Sequence, residues 1–391
     1  MSVFRSKNRG STFSDELKST MKRTGISFLL LYMIAADGFS QSLSQFVDAV
    51  RKQYAPDKRV AIFNVEADSS GQLTGFTNLP EAKQALLAQL KAADRAVVDQ
   101  IQLLPASSLG EKIYAIVNVS VANLRSNARN AAELSTQALL GMPLKVWDKD
   151  RSWYEVQTPD QYIAWTDAGA IQLMTKTDFE QWQSAEKIIF TRPFGFVYSQ
   201  ADKRSQTVSD IVAGNTLVLL NEQRQYFQVR YPDGRTGFVA KREAQRFDRW
   251  QAAAKPTEDA LVSTAKQFIG IPYLWGGTSV KGMDCSGFTK TVYLLNGQML
   301  PRDASQQVNV GEEIATPGKN FASLKPGDLL FFGEPATADK PERVVHVGMW
   351  IGNNEFIHSS GHIRITSVDP TAPNFDAYEL NRFLRVKRVV N

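Results

Sequence analysis

Apolar and polar positions along the chain change period several times, and the changes divide it into units. Leu43 to Tyr54 carries apolar residues at helical spacing (Phe46, Val50), and two strand-like runs follow, Arg59 to Glu66 and Leu73 to Phe76, around a Ser69-Ser70-Gly71 turn. Leu79 to Leu90 predicts a helix entered through Pro80, and Ala96 to Leu104 a third strand. This α-β-β-α-β order describes a small α/β domain over 41–110 that offers no candidate chemistry. Its pattern faintly resembles the BON-type envelope modules.

The middle of the chain repeats itself. Gly141-Met142-Pro143-Leu144, Trp153-Tyr154-Glu155-Val156 and Pro159-Asp160 through Trp165 each recur 73 positions later, as Gly214-Asn215-Thr216-Leu217, Tyr226-Phe227-Gln228-Val229 and Pro232-Asp233 through Phe238. Both copies alternate apolar and polar residues in short runs broken by turn residues, the pattern of small all-β barrels over 111–178 and 184–248. The aromatic-x-Val, Pro-Asp and Gly/Ala-aromatic landmarks resemble bacterial SH3-type domains, modules that bind peptides or wall polymers. An unrelated β-repeat serving as a spacer is the alternative. A polar, alanine-rich joint (Gln251 to Lys255) then leads to Thr257, a good cap for a helix running to Phe268. The last domain spans 256–391.

Composition narrows the picture. The chain is 43% hydrophobic and 22% charged, an ordinary globular balance. Its +5 charge is concentrated at the start: residues 1–40 hold six Lys/Arg against three acids, which leaves +2 over the remainder and no basic stripe for nucleic acid. That start also reads as an export signal. Lys22 and Arg23 precede an apolar run, Gly25 to Ala36, and small residues at Gly38 and Ser40 set a cut before Gln41. The run is too short to span a bilayer, so no membrane span is expected; a membrane anchor or a buried helix is the competing reading. Met21 is a candidate true start. The expected location is across the inner membrane, periplasmic or wall-associated.

Cys285 is the only cysteine, so it is an intermolecular link, a buried small hydrophobe or a reactive thiol. Its neighbourhood favours reactivity. Asp284 is a good cap, and Phe288, Val292 and Leu295 recur at helical spacing until Gly297. Cys285 would therefore sit in a helix's first turn, where unpaired N–H groups favour thiolate and lower the pKa from about 8.5 towards neutrality. All three histidines lie in this domain: His346 in a strand from Arg343 to Ile351, His358 in the next, and His362. If the Gly352-Asn353-Asn354 turn sets Gly348 opposite His358, then His346 and His358 are diagonal neighbours, roughly 7 Å apart at Cα. That layout suits a base and the group that orients it. A zinc site of one cysteine and two histidines is the competing reading.

Tyr273-x-Trp275-Gly276-Gly277, Asp284-Cys285-Ser286-Gly287-Phe288, Lys325-Pro326-Gly327-Asp328-Leu329 and His346-Val347-Gly348 followed by His358 resemble the NlpC family of papain-like cell-wall peptidases. The resemblance covers about 260–391. It implies an α+β multidomain protein, with the small α/β domain and two SH3-like barrels preceding a papain-like domain. It also implies Cys285 as nucleophile, His346 as base, His358 as its orienter, and Tyr273 with the Cys285 N–H as the oxyanion hole. Trp275, Asp284 and Ser286 are expected at the substrate. No metal or cofactor is implied, and a monomer is expected.

Two SH3-type modules before such a domain resemble γ-D-glutamyl-L-diamino acid endopeptidases. The implied partners are peptidoglycan stem peptides or muropeptides with a free N-terminal L-Ala, whose amine would be bound by Asp303 and Tyr162. A further acid from the first barrel is implied, where the expected loop offers the neutral Asn127. Asp303 capping the helix through Asn309 is the structural alternative. Two other functions stand beside the peptidase: a wall-binding protein with a silent catalytic domain, and papain-like lipid acyl transfer, which would call for an amphipathic membrane segment. If Met21 to Ser40 is cleaved on export, N-terminal sequencing of the protein from producing cells will begin at or near Gln41; an intact start on cytoplasmic protein would refute the signal.

Overall fold

The computed structural model describes residues 42–390 as four units. The expected export segment lies outside the described residues. Among those described, no helix is long and apolar enough to cross a membrane.

The first unit matches the expected order. Helices Leu43–Tyr54 and Pro80–Ala92 bury Phe46, Val50, Leu86 and Leu90 against an antiparallel hairpin, Phe63–Ala67 with Gln72–Thr77. The expected third strand is two short pieces, Val98–Asp99 and Gln102–Leu103, both parallel to Gln72–Thr77. The break falls where the Asp99 carboxylate turns the chain by accepting the Ile101 N–H.

The repeat is literal in three dimensions. Seven strands of the first barrel begin at Tyr114, Val121, Leu134, Pro143, Trp153, Ile163 and Ile171. Those of the second begin at Lys187, Phe194, Thr207, Thr216, Tyr226, Thr236 and Ala244, each 73 positions on. The two barrels have the same neighbour order, because each repeated apolar position faces its own barrel core. Two helices were not foreseen. Lys176–Ser184 bridges the barrels through buried Trp182, and Phe247–Ala253 replaces the irregular joint. The helix capped by Thr257 ends at Lys266.

In the last unit a six-stranded antiparallel sheet runs Glu312–Ile314, Phe383–Arg388, Leu329–Glu334, Arg343–Gly352, Glu355–Ser360, His362–Ser367. Cys285–Leu295 lies against it through Phe288 and Val292, which share a core with Val347, Met349 and Ile357. Three contacts lock the first barrel onto this unit. Gln137 accepts from Thr278 N–H and the Ser279 hydroxyl, both at 2.9 Å. Gly276, at φ +78°, passes so close that a Cβ would stand 2.2 Å from the Leu134 carbonyl oxygen.

The third contact is an ion pair, Lys290 Nζ to Asp160 Oδ2 at 2.5 Å, with side chains only 5% and 1% exposed. Burial works to raise the Asp160 carboxyl, but the Lys290 charge and its hydrogen bond overcome it and hold it low. Burial pushes Lys290 down as well. Removing one partner strands a buried charge, at a cost of about 3–5 kcal/mol. Asp160→Asn should therefore lower the thermal midpoint sharply at neutral pH. The loss should shrink at alkaline pH, because an unpaired buried ammonium, with its pKa below the unfolded value, opposes folding only while it is protonated. A pH-independent loss would contradict this account.

Candidate active site

The position of Cys285 follows from local chemistry. The Asp284 side chain accepts the Gly287 N–H at 2.7 Å and starts the helix, which leaves Cys285 in its first turn. A Cβ on Gly287 would lie 2.0 Å from the Gly277 carbonyl oxygen, so the turn carrying the cysteine is clamped against the Gly276-Gly277 loop. Cys285 is buried, and its sulfur meets the backbone N–H groups of Val347, the residue after His346, and Ser286.

The histidine hairpin has the expected register. Met349 pairs with Ile357, which puts Gly348 beside His358 one residue on. A Cβ there would meet Phe356 at 2.6 Å and the His358 Cβ at 3.2 Å, so only glycine leaves room for both rings. His346 Nε2 stands 2.8 Å from His358 Nδ1, and His358 Nε2 stands 2.9 Å from Thr366 Oγ1. This chain is compatible with the tautomers a base needs. With His358 donating from Nε2 to Thr366, its Nδ1 accepts from His346 Nε2–H, and His346 is left with a free lone pair on Nδ1. The one ring nitrogen not held by the hairpin is then the basic one.

Electrostatics departs from the expectation at the thiol. Burial, with the Asp284 charge second, pushes the Cys285 thiol up to about 12 instead of towards neutrality. The carboxylate that caps the helix stands next to the sulfur and opposes the helix dipole. Burial likewise pushes His346 down to about 3, and His358 well below its ordinary value. Burial thus disfavours the charged form of each group taken alone.

The expected substrate contacts divide into two groups. Tyr273 stands half-exposed beside Cys285, and burial and the cysteine's charge both act to keep its hydroxyl protonated. Trp275 is 62% exposed, and its indole N–H donates to Glu133 at 2.6 Å. Asp284 and Ser286 are both buried. Arg302 donates to both Asp284 oxygens (3.1 and 2.6 Å) and to the Ser286 hydroxyl (3.0 Å), and Gly276 N–H takes a further Asp284 lone pair. Their hydrogen-bonding capacity is spent on holding the loop.

Asp303 and Tyr162 meet across the domain boundary, with the tyrosine hydroxyl against the carboxylate, whose charge adds to burial in keeping it protonated. Asp303 is the N-cap of the short helix Ala304–Gln307 and forms a capping box with Gln306, and its carboxylate has a second partner as well. Arg59 of the first unit reaches it at 2.8 Å, so the domain read as lacking chemistry touches the site. Asn127 lines a cavity of about 520 Å³ with Arg129, Asp150, Arg151 and Trp165. Glu133 is the first-barrel acid at the cleft. Its only sequence signal was its position seven residues before Leu140, inside the repeat.

Glu379 was also missed. It is buried, pushed up by burial, held by Arg382 through two 2.9 Å bonds, and 3.7 Å from His346 Nε2. Among the described residues, His346, His358 and Glu379 form the one cluster close enough for a metal. They do not fit zinc: the two ring nitrogens are at hydrogen-bond separation, shorter than the ~3.3 Å between nitrogens on a tetrahedral ion with ~2.05 Å bonds. Cys285 is not part of that cluster.

Residues 270–380 match the NlpC/P60 family, and residues 124–171 match the bacterial dipeptidyl-peptidase SH3 domain. The γ-D-glutamyl-L-lysine dipeptidyl-peptidase of Bacillus cereus is 32% identical over 250 residues, 62% of this chain and 72% of the relative. Dipeptidyl-peptidase 6 of Lysinibacillus sphaericus is 26% identical, covering 66% of this chain and 93% of the relative. The crystal structure of an NlpC/P60 family protein from Bacillus cereus superposes with a TM-score of 0.59 at 26% identity, over 71% of this chain and all of that one.

A neutral pair has a signature. Iodoacetamide alkylation of Cys285 at pH 7 should be slower than that of a free thiol and should climb through pH 9 without levelling near 8.5. A plateau already reached below pH 7 would show a preformed thiolate–imidazolium pair instead.

Proposed function

The chain belongs to the NlpC/P60 family of cysteine peptidases, and on that premise we propose that it hydrolyses the γ-D-glutamyl–diaminopimelate bond of peptidoglycan stem peptides whose N-terminal L-Ala is free. The observation that carries the chemistry is the ordered chain His346–His358–Thr366, which leaves His346 Nδ1 as the free base beside the residue that covers Cys285. His346 takes the thiol proton as the sulfur attacks the γ-carbonyl carbon of D-Glu. The new C–S bond leaves an oxyanion, met by the Tyr273 hydroxyl and the Cys285 N–H, each donor worth about 3 kcal/mol. Collapse breaks the C–N bond, and His346 returns its proton to the departing amine. Water, deprotonated by the same imidazole, then cleaves the thioester and restores the thiol. Glu379, 3.7 Å away, favours the imidazolium formed in between.

Substrate choice rests on the cross-domain meeting of Tyr162 with Asp303, and of Glu133 with Trp275. A first barrel packed against this end of the cleft leaves space for one residue before D-Glu, and its ammonium finds an acid there. The relatives' name, dipeptidyl-peptidase, describes removal of a two-residue unit, which such a cleft would release. The enzyme acts outside the cytoplasmic membrane, in the periplasm or at the wall, after removal of the Met21–Ser40 signal.

Mass spectrometry of L-Ala-γ-D-Glu-diaminopimelate after incubation should show Ala-Glu and free diaminopimelate, and Cys285→Ala should give neither while keeping its fold. N-acetylation of the substrate should lower kcat/KM by about tenfold or more, and Asp303→Ala should do the same to the free amine. In Asp303→Ala the acetyl group should then cost little. Cleavage at another bond, or full activity in the alanine variant, would overturn the proposal.

A further inference from the structure

The acid assigned to the substrate's amine already has a cation on it. Arg59 Nη1 donates to Asp303 Oδ2 at 2.8 Å and to the Ser305 hydroxyl at 2.9 Å. The segment that brings it there is pinned independently. Ile163 N–H donates to the Arg59 carbonyl at 2.7 Å, and the Gln157 side chain to the Val60 carbonyl at 3.2 Å. Gln306 Nε2 donates to Asp57 at 2.9 Å. Asp57 in turn holds the far edge of the guanidinium with two bonds, 2.7 and 2.8 Å. The domain junction therefore does not need the Asp303 contact: Arg59 is oriented by Asp57, and only its remaining edge faces the cleft.

We propose that Arg59 is a specificity-determining residue of this cleft: a built-in cation at Asp303 that weakens the preference for a charged over a neutral substrate N-terminus. This rests on the reading that Asp303 receives the substrate's ammonium. With Arg302 also within 3.9 Å, Asp303 faces two guanidinium groups before any substrate arrives. A free L-Ala ammonium must compete with Arg59 for the carboxylate, whereas an N-acylated terminus, as in a stem still joined to glycan, has no charge to place. Both side chains of the Arg59–Asp303 pair are about a third exposed (32% and 28%), so water weakens the pair enough for an ammonium to displace it. Specificity of this kind is a difference between two affinities, and Arg59 acts on one of them.

The test uses the full chain, the free tripeptide and its N-acetyl form. Arg59→Met should raise kcat/KM for the free amine about threefold to tenfold, chiefly through KM, and leave the acetylated peptide unchanged. Arg59→Lys, which keeps a cation at that edge, should retain the parental ratio of the two substrates. If the methionine variant loosens the first unit, as seen in its melting curve, Arg59→Gln takes its place. A ratio that moves with Asp303→Asn but not with Arg59→Met or Arg59→Gln overturns the Arg59 inference alone. A ratio that neither substitution moves overturns the amine reading beneath it.

Discussion

The site is organised around one buried ion pair, Asp284 with Arg302. Asp284 starts the nucleophile helix, receives the Gly276 N–H and takes two bonds from Arg302, whose Nε reaches Thr136 of the first barrel. Three segments of the last unit are thereby fixed to one carboxylate, and the first barrel is tied to it through Arg302. Arg302 is 1% exposed, so neither charge can find water if the other is lost. Placing Asp303 next to Arg302 makes the substrate end of the cleft inherit that rigidity. The cost falls on the thiol, since the same carboxylate stands beside Cys285 and disfavours its anion.

That tension defines how the chemistry runs. A helix N-terminus stabilises thiolate, while burial and the Asp284 charge resist it, and here burial is the larger influence. The imidazole is equally disfavoured as a lone cation. Two groups that each resist charging alone can still exchange a proton where the two charges form together. The histidine chain supplies the direction of that exchange, because His358 and Thr366 leave one nitrogen of His346 to act.

The cleft is a product of assembly. Tyr162 and Glu133 come from the first barrel, Arg59 from the first unit, and Trp275 and Asp303 from the papain-like unit. The second barrel stays farther back and braces the arrangement, with Asp210 taking Lys281 at 2.8 Å. Duplicated barrels with one shared strand pattern have thus diverged by position: one lines the site and the other supports it.

Much of this was legible in the chain alone. The 73-residue repeat marked two small β-barrels, because alternation with turn residues is a local property; their seven strands each came from the structure. Cys285 at a capped helix start and the pairing of His346 with His358 followed from spacing and turn chemistry, which act over a few residues. The Arg302 bonds to Asp284 and Ser286 were not legible, because an acid in a motif looks the same whatever segment its partner comes from. Glu133, Glu379 and Arg59 gave no comparable signal, since each meets its partner across a domain or sheet. The thiol's protonation could not be read either: the cap and the helix are local properties, but burial is set by everything packed on top of them. Local periodicity and capping determined the elements and the reactive pair; tertiary packing alone decided which charges face one another, and with what water between them.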